Sequence, residues 1–151
     1  MQRQLIDRFL AQRRFAMVGL SRNPKDFSRM LAAEFERRGY EVVGVNPGDP
    51  SAFPRLQAVQ PPLQAALLMT SGRVTEEVVR DAAEARVTLL WMYSAAGTGA
   101  VSEKAVEFCN QHDIDVIQGY CPYQFFPNPG FPHNLHIFFL KLTGSYPQLP
   151  G

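Results

Sequence analysis

The chain has 151 residues, 46% of them hydrophobic and 19% charged, with a formal net charge of +1. That length suits one compact domain, and that apolar content supports a real core and excludes an intrinsically disordered chain. The near-neutral balance offers no basis for general nucleic-acid or membrane-surface binding, so any basic site has to be local.

Leu5, Ile6, Phe9 and Leu10 recur at helical spacing, which predicts a short amphipathic helix over residues 2–12 rather than a secretory leader. "RFAMVGL" reads as a first strand, and its unbroken apolar run implies burial on both faces, as in a parallel sheet. Phe27, Met30, Leu31 and Phe35 return to helical spacing, with Gly39 as the stop. "YEVVGVNP" is a second strand that ends at Pro47. "FPRLQAVQPP" is a loop with one helical turn, and "AALLMT" is a third buried strand. Thr75 is the expected N-cap of a helix running to about Ala85, with Glu76 and Glu77 in its first turn. "VTLLWMY" is a fourth strand, Ser102 caps a helix to about Gln111, and "IDVIQG" is a fifth strand.

Helices alternating with buried strands imply parallel pairing through right-handed crossovers. The expected architecture is α/β: a Rossmann-like three-layer α/β/α domain with a mostly parallel sheet of about five strands. No internal boundary, repeat or low-complexity segment interrupts residues 1–151. The segment from Tyr120 to Tyr146 differs in character. It is aromatic-rich, and Pro122, Pro127, Pro129 and Pro132 bar regular helix or central strand from its first half. "HNLHIFFLKL" follows as a final short helix. This extension is too apolar to float free and is expected to pack on the domain, a subunit interface or the mouth of a site.

An open parallel sheet binds ligands outside the carboxyl ends of its strands. "GLSRNPKDFS", after the first strand, is the most suggestive of the five loops there. Gly19 would let backbone approach a phosphate, the helix start near Phe27 and Ser28 offers amides, and Arg22, Lys25 and Arg29 supply cations. It is neither a G-x-G-x-x-G fingerprint nor a Walker loop. After the second strand, Asn46-Pro47 occupies the place where an NAD-binding fold usually carries an acid for the ribose hydroxyls, so NAD(P) fits less well. Thr70-Ser71-Gly72 offers hydroxyls and a flexible backbone, and Gly97-Thr98-Gly99 a mobile turn. Cys121-Pro122 places a thiol at the end of the fifth strand, open to roles as nucleophile, exchange partner or packed residue. Cys121 with His133 and His136 is a weak metal signal, and no metal is expected. Cys109 and His112 read as core and surface on one helix. None of the loops holds a matched pair of acids or an unmistakable nucleophile–base set, so no catalytic residue is assigned.

Four motifs in order, "VGLSRNP" followed by Ser28, "GYEVVGVNP", "LLWMY" and "GYCP", span about residues 10–125. Together they resemble the small CoA-binding domain proteins, stand-alone relatives of the N-terminal domain of the succinyl-CoA synthetase alpha subunit. The resemblance implies a Rossmann-like fold that binds coenzyme A at the strand ends. It implies that Gly19, Ser21 and Ser28, with Leu20 among them, meet the pyrophosphate and that Arg22 and Lys25 are available to phosphates. Asn46 and Pro47 would border the adenosine, Thr70, Ser71 and Gly72 would line the next loop, and Cys121-Pro122 would close the far side. The chain departs from the family in lacking an aspartate near the start of the third strand. It also carries Tyr93 where many relatives have glutamine. The expected protein is a cytoplasmic binder of coenzyme A or acyl-CoA without an evident catalytic constellation, and a homodimer is compatible with it. The alternatives are an enzyme using the same pocket, either acyl-CoA-handling or an NAD(P)-linked oxidoreductase, and a CoA-regulated interaction module with the aromatic tail as partner surface.

Overall fold

The computed structural model describes residues 2–95 and 97–127. In chain order its elements are α1 (Gln2–Leu10), β1 (Arg14–Val18), α2 (Phe27–Arg37), β2 (Glu41–Val45), β3 (Ala65–Leu68), α3 (Gly72–Glu84), β4 (Leu89–Met92), α4 (Glu103–Gln111) and β5 (Asp115–Gln118). Short 3₁₀ turns cover Leu56–Ala58 and Pro122–Phe125. The strands form one five-stranded sheet in the order β2-β1-β3-β4-β5, and every pair is parallel.

The period-2 geometry of a strand sorts the apolar runs between two cores. Phe15 and Met17 of β1, Leu67 of β3, Trp91 of β4 and Ile117 of β5 join Ile6 and Phe9 of α1 and Leu31 and Phe35 of α2 on one face. Ala16, Val18, Leu68, Met92 and Val116 face the other way, toward Val78, Val79 and Ala82 of α3 and Ala105 and Cys109 of α4. The sheet is therefore covered on both sides, as unbroken apolar strands require. Cys109 is fully buried and His112 exposed, as their helical positions imply.

Aromatic rings build the first core. Phe15 lies 5.0 Å from Phe9 and 4.7 Å from Phe35, and Phe35 meets Phe126 edge-on at 4.9 Å. The indole N–H of Trp91 donates to the Gly119 carbonyl at 2.8 Å, which ties β4 to the end of β5. The start of the aromatic extension belongs to this core. Tyr123 and Phe126 are buried, the Tyr123 hydroxyl donates to the Met30 carbonyl, and the Arg38 guanidinium lies over the Phe126 ring and donates to the Pro127 carbonyl. The expected final helix in "HNLHIFFLKL", with His133 and His136, lies outside the described residues.

One cap differs from expectation. Ser71, not Thr75, caps α3, its hydroxyl accepting from the Val74 amide at 3.3 Å. Thr75 is fully buried one turn inside the helix, where its hydroxyl donates to the Ser71 carbonyl. Gly72 accordingly opens the helix instead of serving as loose loop backbone. The acids Glu76 and Glu77 fall after the first turn. No helix among the described residues is long and apolar enough to cross a membrane.

Phe35→Ala removes the ring shared by Phe15, Tyr40 and Phe126. It is expected to cost about 3–5 kcal/mol, read as a lower urea midpoint at unchanged slope. Glu34 receives hydrogen bonds from Arg37 and Arg38, and these hold its carboxyl near 2, below the ordinary 4.5. A depressed acid stabilises fully above its unfolded pKa and loses that contribution as pH falls through the folded one. Between about pH 4.5 and pH 2, Glu34→Gln should therefore flatten the fall of stability with acid, measured by denaturant unfolding at each pH.

Candidate ligand-binding site

β1 lies between β2 and β3, and the chain leaves it in one direction through α2 and resumes on the other side at β3. The loops after β1 and β3 therefore part at this point, which is the topological switch point where such sheets open a crevice. Gly19 sits on it with φ +86. Its amide donates to the Val45 carbonyl at 2.9 Å, and a Cβ there would lie 3.0 Å from the Met69 carbonyl oxygen. The missing side chain thus serves the close approach of the two loops.

The loop from Leu20 to Asp26 is held by its own polar groups. Asp26 caps α2, accepting from the Ser28 amide at 2.9 Å and the Ser28 hydroxyl at 2.6 Å. Ser28, nearly buried, accepts in turn from the Ser21 amide at 2.9 Å. The Ser28 amide expected to face an anion is therefore already bonded to a carboxylate. The Ser21 hydroxyl accepts from the Asn23 amide, and the Asn23 side chain accepts from the Lys25 amide, winding the loop into consecutive tight turns. The Arg29 guanidinium donates to the Ser21 carbonyl and reaches the Asp49 carboxylate at 3.6 Å.

Asn46 joins this loop to the end of β2. Its amide nitrogen donates to the Leu20 carbonyl at 3.0 Å, and its oxygen accepts from the Gly48 amide at 2.9 Å. Pro47 follows in the same turn, and the Arg22 guanidinium reaches the Gly48 carbonyl at 3.4 Å. Asp49, three positions beyond Asn46, is buried and accepts from the amide and hydroxyl of Ser51. A cavity of about 320 Å³ opens beside these residues and along β2, lined by the apolar Leu20, Val42, Val43, Gly44, Ala52 and Phe53 and the polar Arg29, Glu36, Asp49 and Ser51.

Across β3, Thr70 shares a 2.7 Å hydroxyl contact with Thr75, and a Cβ on Gly72 would press on the Val101 carbonyl at 3.0 Å. Tyr93 ends β4 and packs its ring 5.6 Å from Phe27. Cys121, 1% exposed, lies below it with its sulfur hydrogen-bonded to Tyr93 and to the Tyr123 amide, and Pro122 opens the following 3₁₀ turn. Burial pushes the Cys121 thiol up to about 11, despite those two bonds. Burial likewise raises the Tyr93 and Tyr123 hydroxyls, whereas the Ser28 and Ser51 hydrogen bonds lower Asp26 and Asp49. Each of these groups moves away from neutrality, the opposite of a tuned general acid, base or thiolate nucleophile.

The structure thus gathers Gly19, Leu20, Ser21, Arg22, Lys25, Ser28, Asn46 and Pro47 around the ends of β1 and β2. Thr70, Ser71 and Gly72 follow at the end of β3, with Tyr93, Cys121 and Pro122 further along the same edge. Sequence reasoning left out Phe27 and Asp49. The helical spacing that Phe27 shares with Leu31 and Phe35 carries no sign of its 37% exposure. Asp49 carries no periodic signal, because its partners Ser51 and Arg29 come from a turn and from another element.

An all-parallel sheet covered on both faces, with a switch-point crevice edged by a basic loop, defines the Rossmann-like class of ligand-binding folds. The family described as CoA binding domain matches residues 13–125, and the chain belongs to it. No functionally curated protein matches the sequence. Among solved structures, a hypothetical protein from Pyrococcus horikoshii OT3 is similar at TM-score 0.72 and 16% identity, over 81% of this chain and 87% of that one. A conserved hypothetical protein from Pyrococcus furiosus is similar at TM-score 0.63 and 22% identity, over 72% and 95%. A dinucleotide-forming acetyl-coenzyme A synthetase 1 of Ca. Korarchaeum cryptofilum is similar at TM-score 0.63 and 17% identity, over 74% of this chain and only 27% of that longer one. At these identities the likeness speaks for the fold alone.

Ser28→Ala leaves the Ser21 amide and the Asp26 carboxylate each without one partner. The expected loss is about 1–3 kcal/mol, measured by urea unfolding, with the Asp26 carboxyl titrating closer to its ordinary value by NMR.

Proposed function

We propose that the protein binds coenzyme A or an acyl-CoA at the ends of β1 to β5 and holds it without transforming it. The observation that carries this reading is the loop Ser21–Asp26. In a chain of the CoA binding domain family, it carries Arg22 and Lys25 beside the switch point of the sheet, with Arg29 of α2 bonded to its Ser21 carbonyl. Coenzyme A presents a pyrophosphate and a 3′-phosphate, and charged donors on a pre-formed loop suit both. Arg22 and Lys25 are the cations assigned to those phosphates, with Gly19, Leu20, Ser21 and Ser28 shaping the loop that meets the pyrophosphate.

The adenosine end is assigned to the β2 side, where Asn46 and Pro47 border the turn and the cavity of about 320 Å³ is lined in part by apolar residues. Thr70, Ser71, Gly72, Tyr93, Cys121 and Pro122 fall to the pantetheine side. NAD(P) is disfavoured by the β2 end. Asn46 is spent on the Leu20 carbonyl, and the nearby acid, Asp49, is engaged by Ser51 and Arg29 instead of being presented to a ribose.

Calorimetric titration with coenzyme A, acetyl-CoA, NAD and NADP tests the reading directly: the two CoA species should bind, and binding of NAD without CoA would overturn it. Replacing both Arg22 and Lys25 by alanine should weaken CoA binding at least tenfold at low salt, about 1.4 kcal/mol, and make the remaining affinity less dependent on ionic strength. Unchanged affinity would move the phosphates elsewhere.

A further inference from the structure

The large apolar side chains that stay exposed among the described residues are Phe27 at 37%, Met30 at 51%, Phe53 at 36% and Val74 at 43%. Two of them, Phe27 and Met30, stand on the first turn of α2, directly after the capping Asp26. Their surroundings are built rather than incidental. The Phe27 ring is flanked by Tyr93 at 5.6 Å and Tyr123 at 5.8 Å, and the Tyr123 hydroxyl fixes the Met30 carbonyl. Cys121, buried against Tyr93, is protonated at neutral pH.

Tyr93 follows β4, two strand spacings or roughly 10 Å from β1, so this patch reaches from α2 toward β4. It is therefore on the opposite side of the switch point from the cavity at β2. A ligand with its adenosine at β2 and its phosphates on the Ser21–Asp26 loop would bring its thioester end toward this surface. A few exposed side chains fall far short of the roughly 800 Å² per partner that a stable protein interface buries. They can cover only a small apolar group instead. None of Phe27, Met30, Tyr93 and Tyr123 carries charge at neutral pH, so the surface offers contact and no chemistry.

We infer that Phe27, Met30 and Tyr93 form an acyl-binding surface at the thioester end of the site, selecting acyl-CoA with an apolar acyl group over free coenzyme A. The inference rests on the coenzyme A reading above and names the ligand class within it. An acyl chain half covered by these side chains should gain about twofold in affinity per added methylene, below the gain of full burial.

The test is a calorimetric series of coenzyme A, acetyl-, butyryl- and hexanoyl-CoA on the full chain. Affinity is expected to rise by about twofold per methylene. Phe27→Ser should bring that slope close to onefold, Met30→Ser, at an exposed position, should lower it, and Phe27→Leu should keep most of it. A flat or falling series in the unmodified chain overturns the inference, leaves coenzyme A binding intact and points to another occupant for the patch, such as the chain's own residues 128–151. A slope unchanged by both serine variants also overturns it. Failure of every CoA species to bind removes the coenzyme A reading itself, and this inference with it.

Discussion

The backbone leaves β1 through Gly19 in the left-handed region, bonded to the end of β2 on one side and pressed against the end of β3 on the other. A side chain at this point would meet both a strained φ and the Met69 carbonyl. Because the turn is so tight, the following residues pass directly over the switch point. Asn46 can then reach the Leu20 carbonyl, and Arg29 can span from the Ser21 carbonyl to Asp49. The candidate site is in this sense a consequence of one backbone conformation, with hydrogen bonds from three elements locking the loop in place. A loop held in this way is pre-organised, so that little ordering is left for a ligand to offset.

The architecture was readable because burial on both faces leaves a plain mark. "FAMV", "AALL" and "LLWM" are unbroken apolar runs, and in the structure every residue of these runs is buried. The termini of the helices were readable where one residue decides them, as Gly39 after α2 and Ser102 before α4 do. They were misread at α3, where both Ser71 and Thr75 have capping chemistry. Thr75 is instead drawn fully inside, its hydroxyl bonded to the Ser71 carbonyl and to Thr70, a burial that local pattern does not carry. The same limit applies to the site. That Asp26 would bend back to cap Ser28 was hidden in a stretch that read as a generic polar loop. The exposure of Phe27 was masked by a helical spacing that Met30, Leu31 and Phe35 share, although only the last two point inward.

Charge is distributed along the strand ends with a consistent logic. The acids of the first two loops, Asp26 and Asp49, are consumed by hydroxyls, amides and one guanidinium of their own surroundings. They stabilise the loops, and Asp49, which lines the cavity beside β2, does so with its carboxylate held by Ser51 and Arg29. The cations Arg22 and Lys25 have no such capture by a carboxylate in the ion pairs found among the described residues. The loop after β1 is accordingly locally basic, although the chain as a whole is nearly neutral. On the far side the character changes to aromatic and uncharged. A ligand that is polyanionic at one end and apolar at the other would find both halves of this surface complementary.

The depth of Cys121 has a further meaning for a protein proposed to hold a thiol-bearing ligand. With its proton held to about 11, the Cys121 thiol stays protonated at neutral pH, and the residue is almost wholly covered. Mixed disulfides form through an exposed thiolate, and this residue offers neither the charge nor the access. A sulfur placed so near the expected end of the ligand, yet buried and kept protonated, is poorly suited to a mixed disulfide with a ligand thiol.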